Sequence, residues 1–202
     1  MSAFARSLAV VLVAVAARSP AAEKETPAAK GAGAANVAVA HLKNAQGQPV
    51  GEAILQETPN GVLVTLKLHG LPPGPHALHV HEHGRCDAPF ESAGGHFNPT
   101  KKHHGYESAQ GPHAGDLPNV FVAENGEAAA QLLARNVTLA KGKPNGLLTD
   151  DGTALVVHAK PDDYETDPAG AAGDRIACGT VQAAGVAAPK KGPAERPAAG
   201  TR

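Results

Sequence analysis

Eleven histidines stand in this 202-residue chain, and several recur at spacings that suit a metal ion. His79-Val-His81 has i, i+2 spacing, and on a β-strand such side chains emerge on the same face. Two imidazoles side by side can hold one ion. An isolated pair of this kind is ordinarily solvent-facing, but this one has company. His76 and His83 flank it, His96, His104, His113 and Asp116 follow in one polar, glycine-rich stretch, and His158 ends the separate apolar run Ala154-Leu-Val-Val-His158.

These donors divide into two sets. His96, His104, His113 and Asp116 offer three nitrogens and one oxygen from a single loop, the donor count of a closed tetrahedral zinc site. Bound metal would offset the entropy lost in ordering so long a loop. His79, His81 and His158 form a set of imidazoles without thiolates, which suits copper and its tolerance of a flattened arrangement with an open position.

The elements that must carry these groups read as short strands separated by turns. Asn36 to Leu42, Gly51 to Glu57, Val62 to Leu68, His76 to His81, Val120 to Ala123, Ala128 to Leu133, Ala154 to His158 and Ile176 to Gln182 carry the apolar and β-branched residues of half-buried pleats. Thr58-Pro-Asn-Gly61 and Glu124-Asn-Gly-Glu127 are hairpin signals. With 23 Gly, 17 Pro and no amphipathic helical pattern, the expected class is all-β, an antiparallel sandwich or barrel of about eight strands. Two intervals, Glu82 to Leu117 and Ala159 to Arg175, exceed simple turns and are expected to be functional loops.

Composition narrows the function classes. Eighteen basic against 19 acidic residues leave a formal net charge of -1, so no nucleic-acid partner is expected. Arg6 followed by the apolar run Leu8 to Ala17 resembles a secretory signal, the run being about half of the roughly 20 residues that span a bilayer. Residues 1–22 are expected to be that signal, 23–35 an Ala/Pro-rich linker, 36–182 the one folded domain and 183–202 a disordered Ala/Pro/Gly-rich tail, with no stable membrane insertion. Export, to the periplasm first and the medium second, would allow Cys86 and Cys178 to pair.

From about residue 36 to 182 the chain resembles the exported bacterial, periplasmic-type branch of Cu,Zn superoxide dismutase. The resemblance is carried by His76-Ala-Leu-His-Val-His-Glu-His-Gly84, Ser92-Ala-Gly-Gly-His-Phe-Asn-Pro99, His113-Ala-Gly-Asp-Leu-Pro-Asn119, Leu155-Val-Val-His158 and Gly173-Asp-Arg-Ile-Ala-Cys-Gly179. It implies an eight-stranded Greek-key sandwich or flattened barrel. It also implies copper ligands His79, His81, His96 and His158, and zinc ligands His96, His104, His113 and Asp116, with His96 bridging the metals. By the same resemblance Asp162 links His79 to His104, Cys86 and Cys178 form the family disulfide, and Arg175 stands beside the open copper position. The implied reaction is dismutation of superoxide to dioxygen and hydrogen peroxide by a redox-cycling copper bridged through a histidine to a structural zinc, with Arg175 and His96 catalytic. The competing reading is a non-catalytic exported protein that buffers copper and zinc. A homodimer is compatible with the branch, which includes monomers and dimers.

Two residues depart from the family pattern. Asp174 precedes Arg175 where a small or neutral residue is usual, and Ala171 stands where asparagine is common. His83 and His103 read as exposed loop histidines, His76 as a structural one, and His41 and His69 have no assigned task.

Overall fold

A computed structural model describes residues 36–185. The expected signal and linker lie outside the described residues, as does the tail beyond residue 185. Eight strands alternate with loops: β1 Val37–Asn44, β2 Pro49–Thr58, β3 Gly61–Leu68, β4 Gly74–His81, β5 Asp116–Val122, β6 Ala128–Ala134, β7 Ala154–His158 and β8 Arg175–Thr180. A two-residue β9, Gln182–Ala183, pairs with β1, so strand pairing runs one residue past the expected domain end. No α-helix occurs among the described residues, and a short 3-10 turn spans Glu91–Ala93.

All pairings between strands are antiparallel, in the order β5-β4-β7-β8-β1-β2-β3-β6. The chain crosses the barrel between β3 and β4 and again between β6 and β7, as a Greek key requires. Period-2 patterning explains the simple strands. In β3, Val62, Val64, Leu66 and Leu68 point inward while Lys67 stays outside. They pack with Ala38, Ala40 and Leu42 of β1 and with Leu55 of β2 in the main core. Few of these side chains are large, so the barrel interior is filled by Val, Leu and Ala.

Strands β4 and β7 are buried on both faces. Their inward residues Leu78, Val80, Leu155 and Val157 join the main core. On the outward face, Ala154 and Val156 pack with Phe90, Ala93 and Cys178 in a second cluster. Long loops cover that face, and the histidines lie under them. The loop between β4 and β5 is sewn to its strand by backbone bonds, Phe97 N–H to the Val80 carbonyl at 2.8 Å and Val80 N–H to the Gly115 carbonyl at 2.8 Å.

Three features differ from the sequence expectation. β5 begins at Asp116 rather than Val120, because Pro118 weakens the local strand signal while pairing with β4 holds the segment extended; Asp116 lies directly opposite His79 in that register. β8 begins at Arg175, one residue before the expected Ile176. A third long connection, residues 135–153, joins β6 to β7 and places Val137, Leu139 and Leu147 in the core. Glu57 anchors it, accepting a hydrogen bond from the Thr138 hydroxyl at 2.8 Å and another from Leu139 N–H.

Candidate metal centre

The strand pleat and the sheet order together assemble the first donor set. His79 and His81 occupy the outward face of β4, and His158 occupies the same face at the end of the neighbouring β7. An isolated bridge between His81 and His96 draws the loop histidine alongside. Donor atoms of His79, His81, His96 and His158 all lie within 4.8 Å of one another, and all four residues are buried. His81 Nε2 and His158 Nε2 are 3.3 Å apart.

The outer ring nitrogens fix which atoms face inward. His81 Nδ1 donates to the Gly94 carbonyl at 3.0 Å and His158 Nδ1 to the Gly173 carbonyl at 3.2 Å, while His79 Nε2 meets Asp162 Oδ2 at 2.7 Å. Anchoring a ligating imidazole by its other nitrogen in this way orients it for metal. His79 Nδ1 and His96 Nε2 are fully buried and have no hydrogen-bond partner. Orphaned buried nitrogens of this kind are costly unless something else satisfies them.

The second set surrounds Asp116. Its Oδ1 lies 3.0 Å from His96 Nδ1, 3.1 Å from His104 Nδ1 and 3.4 Å from His113 Nδ1, and the His96 and His113 Nδ1 atoms are 3.3 Å apart. A tetrahedron with zinc–nitrogen distances near 2.0–2.1 Å has edges of about 3.3 Å. Four of the six separations among these donors, from 3.0 to 3.4 Å, match such edges. The group of mutually close buried donors around Asp116 holds His79 with His96 and His104 and leaves out His113, which reaches the cluster through Asp116 Oδ1 and His96 Nδ1, so His79 lies near both sets. His96 belongs to both, with Nδ1 toward Asp116 and Nε2 unpaired on its other side.

Asp162 joins the sets from outside. Its Oδ2 meets His79 Nε2 and its Oδ1 meets His104 Nε2 at 2.8 Å. The backbone of Asp162 is in turn clamped by Asn119, whose Oδ1 accepts from Asp162 N–H at 2.8 Å and whose Nδ2 donates to the Asp162 carbonyl at 2.9 Å. Asn119 closes the stretch Asp116-Leu-Pro-Asn119, yet its partner lies in another loop and local sequence could not name it. Gly170, with φ of +64°, is the other residue that spacing missed: a Cβ there would fall on the Asp162 carboxylate and within 2.7 Å of His104 Nε2.

Burial sets the charge states. Burial lowers the His81 pKa to about 2, helped by His96, and lowers His158 to about 3, helped by His79. Burial likewise brings His96 down to about 4, although its bond to Asp116 opposes the shift. His104 goes the other way: burial opposes its charge, but hydrogen bonds to Asp116 and Asp162 outweigh it and raise the pKa to about 9. Burial opposes ionisation of Asp116 and Asp162 as well, and the histidine bonds hold both well below the usual carboxylate range. Neutral imidazoles are what the all-nitrogen set needs to ligate metal.

Arg175 sits at the rim. Its Nη1 donates to the Phe90 carbonyl and its Nη2 to the Gly94 carbonyl, each at 2.6 Å. Gly94 thus receives both Arg175 and His81. The positive guanidinium also helps depress the pKa values of His81 and His158. A disulfide joins Cys86 to Cys178 across 92 residues of sequence, with a Cα–Cα distance of 5.6 Å. It ties the loop that supplies the Phe90 and Gly94 carbonyls to β8. Asp174 is exposed, and its backbone carbonyl accepts from Ala159 N–H at 2.7 Å. Ala171 has φ of +50°, a region that asparagine adopts more readily than alanine.

The remaining histidines stay out of the two sets. His76 places Nδ1 2.8 Å from the His158 carbonyl and Nε2 2.8 Å from the Pro72 carbonyl, a structural role. His83 pairs with Asp151 at 2.5 Å on the surface, and His103 and His41 lie near Asp167 and Glu52 at 3.9 Å. His69 is exposed.

The family model described as copper/zinc superoxide dismutase (SODC) matches residues 50–181. The chain is 52% identical over 145 residues to "Superoxide dismutase [Cu-Zn] 1" of Aquifex aeolicus, covering 71% of this chain and 86% of that protein. It is 44% identical over 149 residues to "Superoxide dismutase [Cu-Zn]" of Caulobacter vibrioides, covering 72% and 85%. Among solved structures, a double mutant of a superoxide-dismutase-like protein from Bacillus subtilis superposes with a TM-score of 0.69 at 41% identity, covering 70% of this chain and 95% of that one. Two convergent donor sets on a Greek-key barrel, together with these matches, place the chain in the copper/zinc superoxide dismutase family.

Proposed function

We propose that this protein dismutates superoxide to dioxygen and hydrogen peroxide, with His79, His81, His96 and His158 holding copper and His96, His104, His113 and Asp116 holding zinc. The observation that carries this reading is His96, which offers Nδ1 to one donor set while its Nε2 faces the other without a partner. Bound there, copper supplies one-electron redox chemistry and zinc supplies fixed positive charge.

The protein's own groups do the rest. The Arg175 guanidinium, charged at any working pH, attracts and orients a small anion at the rim, and its two carbonyl bonds hold it in place. His96 holds a proton at Nε2 when that atom is free, so the residue between the sets also serves proton delivery; two superoxide anions and two protons yield one dioxygen and one hydrogen peroxide. Asp162 keeps His79 and His104 in the tautomers that present Nδ1 inward. A protein that only buffered metal would have no use for a guanidinium fixed beside the all-nitrogen set.

An extracellular relative in Brugia pahangi and the apolar run Leu8 to Ala17 support export, and we place the protein in the periplasm after removal of residues 1–22, with 23–35 as a linker and a tail that follows Ala183 of β9. A homodimer is compatible with this arrangement and is checked by sedimentation. The decisive test is superoxide dismutation by purified protein with both metals quantified, beside His158→Ala and Arg175→Ala. We expect activity in the loaded wild type, its loss with copper in His158→Ala, and reduced activity at full metal content in Arg175→Ala. No activity in fully loaded wild type would sink the enzyme reading.

A further inference from the structure

Every imidazole that faces the donor sets from one nitrogen has an identifiable partner at the other, except one. His79 and His104 use Asp162, His81 uses Gly94, His158 uses Gly173, and His96 turns its second nitrogen to the other set. His113 Nε2 has no hydrogen bond. The carboxylate near it is Asp167, whose Oδ1 lies 3.9 Å away. The same Oδ1 accepts a hydrogen bond from the backbone N–H of His104 at 2.6 Å.

Asp167 therefore meets this loop at three residues: it accepts a hydrogen bond from His104 N–H and stands 3.9 Å from His113 Nε2 and from His103 Nδ1. It fixes the backbone from which His104 projects, and it presents negative charge to the outer nitrogen of His113. With Nδ1 given to a metal, His113 must carry its proton on Nε2, the atom that points toward Asp167. At 3.9 Å the carboxylate makes no hydrogen bond to the ring, but its charge favours the Nε2–H tautomer that leaves Nδ1 for a metal. Sequence spacing hid the residue, since Asp167 lies in the loop after β7 and follows the more conspicuous Asp162-Asp163 pair.

We propose that Asp167 is a positioning residue for zinc, acting through the His104 backbone and the His113 ring. The proposal rests on His104 and His113 being zinc ligands. It separates the zinc-side set from the copper-side set, because Asp167 has no contact with His79, His81 or His158 among the described hydrogen bonds and ion pairs.

The test measures zinc and copper affinities of the full chain by chelator competition for wild type, Asp167→Ala, Asp167→Asn and His113→Ala, with urea unfolding of each metal-free protein. Asp167→Ala should lose roughly 10- to 100-fold in zinc affinity, with copper affinity changed less than about threefold. Asp167→Asn keeps an acceptor for His104 N–H but no charge for His113, and should fall between wild type and Asp167→Ala. In zinc-loaded wild type the His113 Nε2 proton should give a slowly exchanging NMR resonance, broadened or lost in Asp167→Ala. Zinc affinity that needs His113 but ignores both Asp167 variants overturns the proposal alone. Equal losses for zinc and copper, matched by lower metal-free stability, also overturn it, since they report general loosening. Zinc affinity indifferent to His113 removes the ligand assignment and the proposal with it.

Discussion

Acidification of the metal-free protein tests the burial of the all-nitrogen set most directly. His81, His158 and His96 are held near pKa 2, 3 and 4 in the fold, against about 6.5 when unfolded. A histidine whose folded pKa is depressed contributes stability that is present above the unfolded value and is lost as pH falls below it. At pH 5 nearly three more protons bind the unfolded chain than the fold, so stability should fall with a slope of about 4 kcal/mol per pH unit. His104 has the opposite sign: with its pKa raised to about 9, its contribution is complete below about 6.5 and is lost as pH rises toward 9. Between pH 6.5 and 5 it offsets only about half a kcal/mol, leaving a net loss of about 4 to 5 kcal/mol. That is a large share of the 5–15 kcal/mol typical of a folded domain. Urea unfolding of chelator-treated protein, followed by circular dichroism from pH 7.5 to 4.5, should show a maximum near neutrality and a steep acid decline at constant m-value. A slope below one proton, about 1.4 kcal/mol per unit, would mean that the imidazoles are hydrated or rearranged without metal and are not held neutral by burial.

Other consequences are quickly checked. Gly170→Ala places a methyl on the Asp162 carboxylate at a positive φ; it should lower zinc occupancy and stability together, by about 2 kcal/mol or more, and an unchanged melting profile and zinc content would contradict the packing. Cys86→Ser with Cys178→Ser should remove about 4 to 5 kcal/mol by the loop-entropy relation and loosen the loop that holds Arg175, so that activity per bound copper falls; retention of both in denaturation and activity assays would count against the clamp. Asp174→Ala should leave dismutation equal or faster at low ionic strength, since it removes an exposed negative charge beside Arg175. A clear loss of rate at unchanged metal content would show instead that Asp174 supports its loop.

Local geometry governs the features that were legible in the amino-acid order alone. Strand period and turn chemistry specified β1 to β3, β6 and β7 to within a few residues, because the pleat repeats every two residues and hairpins join neighbours. The same pleat put His79 and His81 on one face, and the type and spacing of His96, His104, His113 and Asp116 marked a loop full of donors. Features that depend on distant partners emerge only once the chain is folded. Only the antiparallel pairing of β4 with β7 brings His158 beside His79 and His81, and only the β4–β5 register sets Asp116 opposite His79 and extends β5 through Pro118. Likewise Asn119, Asp167 and Gly170 owe their roles to contacts between two loops that the barrel folds together. Local propensity carries no information about such contacts, because the energy that fixes them comes from burial and pairing between segments that meet only when the sheet closes.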